Sequence, residues 1–342
     1  MRATGASRAT AVSSVALLGL LWFQGQGQGR AAVAGSGVAS GDLLGVVFGI
    51  DAPFTMVLGT AQDGGLPQMG GTAPADEAAR RDPALRRLVA SLLIVDPASG
   101  ERFLIDATPD LPRQVEIANE AAPRPPAASR PPLFDAVALT HAHVGHYAGL
   151  MHLGREIYGA SGQRVLASAR FARFLETNGP WDLLVKLNHI RIERLEANTT
   201  FKLNARLSIT PLAVPHRDEY SDTFAFIVRG PSRSVLWLPD IDKWERWDRR
   251  IEDVIRGVDV AYIDGTFFDG DELPGRVMSE VPHPFIAESL VRSAAWPDTE
   301  RRKVVFVHLN HTNPAATPGS AAEQAVRKAG MRVAKEGERQ PL

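Results

Sequence analysis

"LTHAHVGHYAGL", residues 139–150, places three histidines within six positions: His141, His143 and His146. The apolar segment that leads into it, "DAVALT" (135–140), reads as a buried strand. Alternate side chains on an extended segment share a side, so His141 and His143 point the same way. His146 follows after a turn. Three imidazoles at the end of a buried strand need polar partners and repel one another when protonated. A divalent cation answers both demands, because neutral His is a common ligand for zinc and for iron.

Working outward, other ligating residues also close apolar runs. His216 ends "LSITPLAVPH" (207–216), Asp240 ends "SVLWLPD" (234–240), and His308 ends "KVVFVH" (303–308), with His311 three residues later. In open α/β architectures, sites gather beyond strand ends. Strands are predicted at 54–60, 88–96, 102–106, 135–140, 164–167, 190–195, 206–214, 223–229, 234–238, 258–264 and 303–308. Helices are predicted at 146–158, 243–257, 284–295 and 319–329. In the second, Trp244, Trp247, Ile251, Val254 and Ile255 share a face. Strand-rich halves that each end in strand–helix units imply an α/β fold with two sheets between layers of helices.

Composition narrows the function. The chain has 342 residues, 44% hydrophobic and 23% charged, with a formal net charge of −1. Such a balance draws it neither to nucleic acid nor to anionic lipid, and no basic stripe is interleaved with aromatics. A small-molecule substrate is the expected partner, and the sequence leaves the oligomeric state open. There is no cysteine, which excludes disulfides, thiolate metal sites and cysteine nucleophiles. The loop "GTAQDGGLPQ" (59–68) lacks the Gly-Lys-Ser/Thr ending of a phosphate loop, and its glycines fit close backbone approach near a site.

At the N-terminus, Arg2 and Arg8 precede the apolar run "AVSSVALLGLLWF" (11–23), and "AVA" (32–34) offers a small-residue cleavage site. The expected organisation is a signal peptide over 1–34, a linker over 35–45 and one domain over 46–342, with export to the periplasm or outside the cell. No stable membrane association is expected after cleavage. The apolar run falls short of the about 20 residues of a membrane span; an uncleaved anchor and a misplaced start codon are the alternatives.

The histidine cluster, taken with "LGTAQDGGLPQ" (58–68), "LIDATPDLPRQ" (104–114), "YIDGTFF" (262–268) and "VHLNHTNP" (307–314), resembles the metallo-β-lactamase fold superfamily, and within it the B proteins of pyrroloquinoline quinone biosynthesis. The resemblance covers roughly residues 54–335. It implies an αββα four-layer sandwich with a metal site at one edge. Carried over residue by residue, it implies that His141, His143 and His216 hold a first metal, Asp240 bridges two metals, and His146 and His308 belong to the second. Asp240 and His308 are then the candidate catalytic residues. The implied cofactor is zinc, one or two ions, with iron or manganese as alternatives.

The chain departs from the superfamily's His-x-His-x-Asp-His motif at Gly145, where the carboxylate of the second metal is expected. It also lacks the cysteines of the B proteins' structural zinc site, reading "PQMGGTAPADE" (67–77) there. Asp110, Asp218 and Glu219 are candidates to replace the lost carboxylate. His283, between prolines in "VPHPF", is a candidate pocket residue. His311 is a candidate ligand, substrate contact or partner of His308. Asp106 ends a strand, and the resemblance implies a structural role for it. A metal-dependent hydrolase using metal-activated water is the leading expectation. An iron-dependent oxygenase and a non-catalytic, degenerate metal-binding member are the alternatives.

Overall fold

A computed structural model describes residues 51–124, 130–273 and 275–342. The expected signal peptide and linker lie outside the described residues. The first sheet is built from β1 (Phe54–Gly59), β2 (Ser91–Asp96), β3 (Glu101–Ile105), β4 (Ala136–Ala138), β5 (Gln163–Ser168) and β6 (Ile190–Leu195). The second contains β7 (Phe201–Lys202), β8 (Ser208–Val214), β9 (Thr223–Arg229), β10 (Ser234–Leu238), β11 (Val260–Asp264), β12 (Val304–Val307) and β13 (Arg332–Val333). The last strand, β14 (Arg339–Pro341), returns to the first sheet and pairs with β1, giving the orders β14-β1-β2-β3-β4-β5-β6 and β13-β12-β11-β10-β9-β8-β7.

Side-chain alternation turns these sheets into four layers. In β2, Leu92 and Ile94 enter the core between the sheets, while Leu93 and Val95 enter the core under the first layer of helices. In β10, Val235 and Trp237 face the other sheet, and Leu236 and Leu238 face helices. β12 repeats the pattern, with Val305 and Val307 on one side and Val304 and Phe306 on the other. Strands buried on both faces read as unbroken apolar runs, which explains their legibility in the sequence. Helices Leu111–Ala121 and Ala169–Thr177 cover the first sheet; helices Ile251–Arg256, Ile286–Arg292 and Ala321–Lys328 cover the second. The result is the expected αββα sandwich.

The pairing directions decide where the chemistry lies. β3 to β6 are mutually parallel, as are β10 to β13. Two antiparallel steps make β1 parallel to β3, and two others make β8 parallel to β10. Within each sheet, therefore, the strands that precede site residues all end on the same side. Backbone bonds join the two sheets at that edge: Gln62 N–H donates to Leu309 O and Leu309 N–H to Thr60 O, both at 2.9 Å, and Phe224 N–H donates to Thr140 O at 3.0 Å.

Two expected helices are corrected. The segment 146–158 is one α-turn, Val144–Tyr147, followed by a 3-10 stretch, Ala148–Leu153. Gly145 and Gly149 disfavour a long helix. Gly149 is pressed against the backbone, where a Cβ would lie 2.1 Å from Thr108 O. The segment 243–257 breaks into a 3-10 turn, Trp244–Arg246, and a helix, Ile251–Arg256. Its indoles are pinned from outside, Trp244 Nε1–H by Ser289 Oγ at 2.9 Å and Trp247 Nε1–H by Ala213 O at 2.8 Å. The apolar face is buried as expected, but tertiary anchoring overrides helical continuity.

Candidate metal centre

His141 and His143 follow β4, His216 follows β8, Asp240 follows β10 and His308 follows β12. The structure brings all five together with His146. His141, His143 and His216 form one set whose ligating atoms lie within 4.8 Å of one another. His146 and His308 form a second set, but its third member is Asp63, from the loop after β1. Asp240 lies between the sets. Its Oδ2 is 2.9 Å from His146 Nε2 and 3.3 Å from His308 Nε2, and its Oδ1 is 3.7 Å from His216 Nε2.

Most of the imidazoles are anchored through one ring nitrogen, which assigns the lone pair to the other. His146 Nδ1–H donates to Asp106 Oδ2 at 2.8 Å, and Asp106 in turn accepts from Thr140 N–H at 2.8 Å and Thr140 Oγ1–H at 2.9 Å. His141 Nδ1–H donates to Thr140 Oγ1 and His308 Nδ1–H to Thr266 Oγ1, both at 3.0 Å. His143 Nε2–H donates to Glu219 Oε2 at 3.0 Å. That leaves His141 Nε2 and His143 Nδ1 facing each other at 2.8 Å with a lone pair each, an arrangement that a cation between them relieves. Such outer partners fix ring orientation and tautomer at metal sites.

The backbone also bends to this purpose. Asp106 and His308 adopt φ of 68° and 65°, the left-handed region that non-glycine residues rarely enter, each just after a strand. The conformation turns both side chains toward the cluster.

Asp63 Oδ1, His146 Nε2, Asp240 Oδ2, His308 Nε2 and both nitrogens of His216 are buried without a hydrogen-bond partner among the described residues. Close approach does not satisfy them, since the 2.9 Å contact of His146 with Asp240 is misaligned for a hydrogen bond. Leaving each such atom unmade costs on the order of 1–3 kcal/mol. Native proteins retain few of them without a functional reason. Their donor chemistry, imidazole and carboxylate with no thiolate, fits zinc and also iron or manganese.

Electrostatics agree with the ligand reading at His141 and His216. Burial, reinforced by the neighbouring His146, holds His141 well below the usual imidazole range, and burial brings His216 down to about 3. Both are therefore neutral, the form that ligates. Burial alone would lower His146, but the Asp106 charge more than offsets it and raises it well above the usual value. Burial alone would raise Asp240 and Asp63; the imidazoles around them outweigh it and hold both carboxylates well below their ordinary range.

The three expected replacements for the carboxylate missing at Gly145 are corrected. Asp110 sits at the start of helix Leu111–Ala121, and its Oδ2 accepts Val89 N–H at 2.8 Å. Asp218 accepts from Thr223 Oγ1–H at 3.2 Å. Glu219 does reach the site, but from outside, as the acceptor for His143. Asp63 stands in the position instead: a Cβ on Gly145 would lie 2.0 Å from its Oδ1. In the sequence, Asp63 sits in the glycine-rich block just after β1, and the available signal was an acidic residue beyond the end of a buried strand.

His283 is buried; its Nδ1–H donates to Asp264 Oδ2 at 2.8 Å, and Asp240 Oδ1 lies 3.6 Å away. Asp264 was not singled out in the sequence, although it ends β11 and also accepts Ile241 N–H and Thr266 N–H. His311 does not pair with His308. It bonds the buried Asp76 at 2.6 Å, and Asp76 also accepts Gln68 N–H, tying down the loop after Asp63. Beside the cluster opens a cavity of about 330 Å³, whose lining includes Gln62, Arg217, Arg276, His283, Asn310 and His311.

Comparisons with known proteins place this geometry among relatives. The sequence profile of the beta-lactamase superfamily domain matches residues 101–333. Coenzyme PQQ synthesis protein B of Methylobacterium nodulans is 28% identical over 305 residues, covering 82% of this chain and 97% of the relative. The protein of the same name from Gluconacetobacter diazotrophicus is 27% identical over 310 residues, covering 83% and 98%. Among solved structures, zinc-bound PqqB from Methylobacterium extorquens superposes with a TM-score of 0.71 at 22% identity, over 84% of this chain and all of that one. A diphosphatase of the PhnP family superposes with a TM-score of 0.58 at 18% identity, over 85% and 97%.

Proposed function

The chain belongs to the beta-lactamase superfamily, in the branch that resembles coenzyme PQQ synthesis protein B, and from that membership we propose that it is a metal-dependent hydrolase of a small molecule. The observation that carries the reading is the two sets of converging ligating atoms around Asp240, with Asp63, His146, His216, Asp240 and His308 each presenting a buried atom that has no hydrogen-bond partner among the described residues. His141, His143 and His216 would hold one ion, and His146, His308 and Asp240 would share in holding a second. Zinc so held supplies a Lewis acid and lowers the pKa of water toward about 7. A structural neighbour named as a diphosphatase is consistent with hydrolysis on this fold.

The chain's own residues do the rest. Asp240 is placed to orient a water and to take its proton. His283 lines the cavity with its Nδ1–H on Asp264, whose charge outweighs burial and raises its pKa, so as imidazolium it could hand its Nε2 proton to a departing group and return to the neutral Nδ1–H form. Arg217 and Arg276, both in the cavity lining, would orient an anionic substituent of the substrate. The basic, apolar N-terminal segment supports the further proposal that this happens outside the cytoplasm. Among the described residues, no helix is long and apolar enough to cross a membrane.

The test combines elemental analysis of protein purified without added metal with a panel of phosphoester, thioester and lactone substrates. Zinc in the parent, turnover of one substrate class, and loss of both metal and turnover in His143→Ala are expected. A protein that takes up iron and consumes oxygen with its substrate, or that keeps full turnover in His143→Ala, would overturn the assignment.

A further inference from the structure

We propose that Asp63 supplies the carboxylate that the histidine motif lacks at Gly145, so that the second cation is held by Asp63, His146, Asp240 and His308. The inference rests on reading the cluster as a metal centre. It adds a ligand drawn from the β1 loop, 82 residues upstream of the position it replaces.

Three observations carry it. First, Asp63 Oδ1 is buried and unpartnered, 3.4 Å from His146 Nε2 and 3.7 Å from His308 Nε2, and these nitrogens are unpartnered too. With Asp240 Oδ2 at 2.9 and 3.3 Å from the same nitrogens, the four carboxylate–imidazole distances are close to those of donors around one small ion: atoms bound at about 2.1 Å in a tetrahedron stand about 3.4 Å apart. Second, the exchange with residue 145 is exclusive. A Cβ there would meet Asp63 Oδ1 at 2.0 Å and its Cα at 2.7 Å, and moving the Asp63 side chain would not clear the backbone atom. In this backbone the loop that carries Asp63 and any side chain at 145 exclude each other. Third, the loop is held in place. Gln62 N–H is bonded to Leu309 O, Gly65 N–H returns to Gln62 O at 2.8 Å, and Asn310 Nδ2–H bonds the Gln62 side chain. Asp63 is thus stitched to the segment that carries His308, so the two donors move as one unit.

Two carboxylates at one position also match the charge of a divalent ion, as the ordinary motif does with its own Asp. The anionic ligand is conserved in space while its source in the chain changes.

The experiment measures zinc stoichiometry and stepwise affinity on the full chain by competition with a chromophoric chelator. The parent and Asp63→Asn are compared, each also melted in chelator. The parent is expected to bind two zinc ions. Asp63→Asn, nearly isosteric, should keep the first ion at unchanged affinity and bind the second more than 100-fold more weakly, beyond the loss from removing an outer partner. In chelator, Asp63→Asn should melt no more than about 3 °C below the parent, which separates loss of a ligand from damage to the fold. A second ion retained by Asp63→Asn at unchanged affinity overturns the inference, as does a parent that binds a single ion; both leave the metal-dependent reading standing. A folded parent that binds no zinc overturns both.

Discussion

Asp106→Asn tests whether the outer hydrogen bonds organise the metal centre. Asp106 is fully buried and accepts from Thr140 N–H, Thr140 Oγ1–H and His146 Nδ1–H. Asn tolerates the φ of 68° as well as any residue with a side chain, so backbone strain does not confuse the result. Its amide oxygen can keep the Thr140 bonds, but its amide nitrogen then faces His146 Nδ1 and donates. The His146 proton must move to Nε2, the atom that faces Asp63 and Asp240. A ligand lone pair is lost without any ligand being removed. The expected cost is 10–100-fold in affinity for the second ion, about 1.4–2.7 kcal/mol, with the first ion within about threefold of the parent. Stepwise zinc titration against a chelator reads both ions in one experiment, and a thermal melt in chelator measures any cost to the fold alone. Unchanged affinity for the second ion in a folded variant, or an equal loss for both ions, would refute the tautomer argument.

Three further outcomes follow from the structure. Removing metal with a chelator should lower the thermal midpoint by on the order of 10 °C, because an ion at a thousand times its Kd stabilises by about 4 kcal/mol; identical melts with and without chelator would contradict the ligand reading. Trp237 is fully buried between the sheets and its Nε1 has no partner among the described residues, so Trp237→Phe should cost only about 1 kcal/mol, against about 3–5 kcal/mol for Trp237→Ala, in denaturant unfolding. Burial pushes the Glu272 carboxyl up to about 7 from an ordinary 4.5, so the fold favours its protonated form; the stability this contributes is complete below pH 4.5 and lost as pH rises through 7. Glu272→Gln should therefore gain on the parent, by on the order of 2 kcal/mol, between pH 5 and pH 8 in parallel urea titrations, and a pH-independent difference would exclude the shift.

Much of the centre was legible because ligating side chains and buried strands both leave local marks. An apolar run that ends in His or Asp announces a strand with a polar residue at its exit, and His141, His216, Asp240 and His308 all carry that mark. His283 was visible through its flanking prolines, though its partner Asp264 was not, since an Asp at a strand end looks the same whether it binds a metal, a histidine or a backbone N–H. The expected helices over 146–158 and 243–257 were wrong in extent for a related reason: Gly149 against Thr108 and the two indole bonds are long-range contacts, and periodicity records none of them.

By itself, the sequence determined two sheets between layers of helices and the edge at which the chemistry lies, because apolar runs and strand-end residues are properties of short segments. Only the tertiary structure decided which carboxylate faces which imidazole. The gap at residue 145 is a local fact, but its filling by Asp63 depends on β1 and β12 being stitched together through Gln62 and Leu309, which brings residues far apart in the chain within 4 Å. A side chain's sequence position constrains its reach only within its own element. Across elements, packing sets the distance, and a missing ligand can be supplied from any loop that the sheets carry to the same edge.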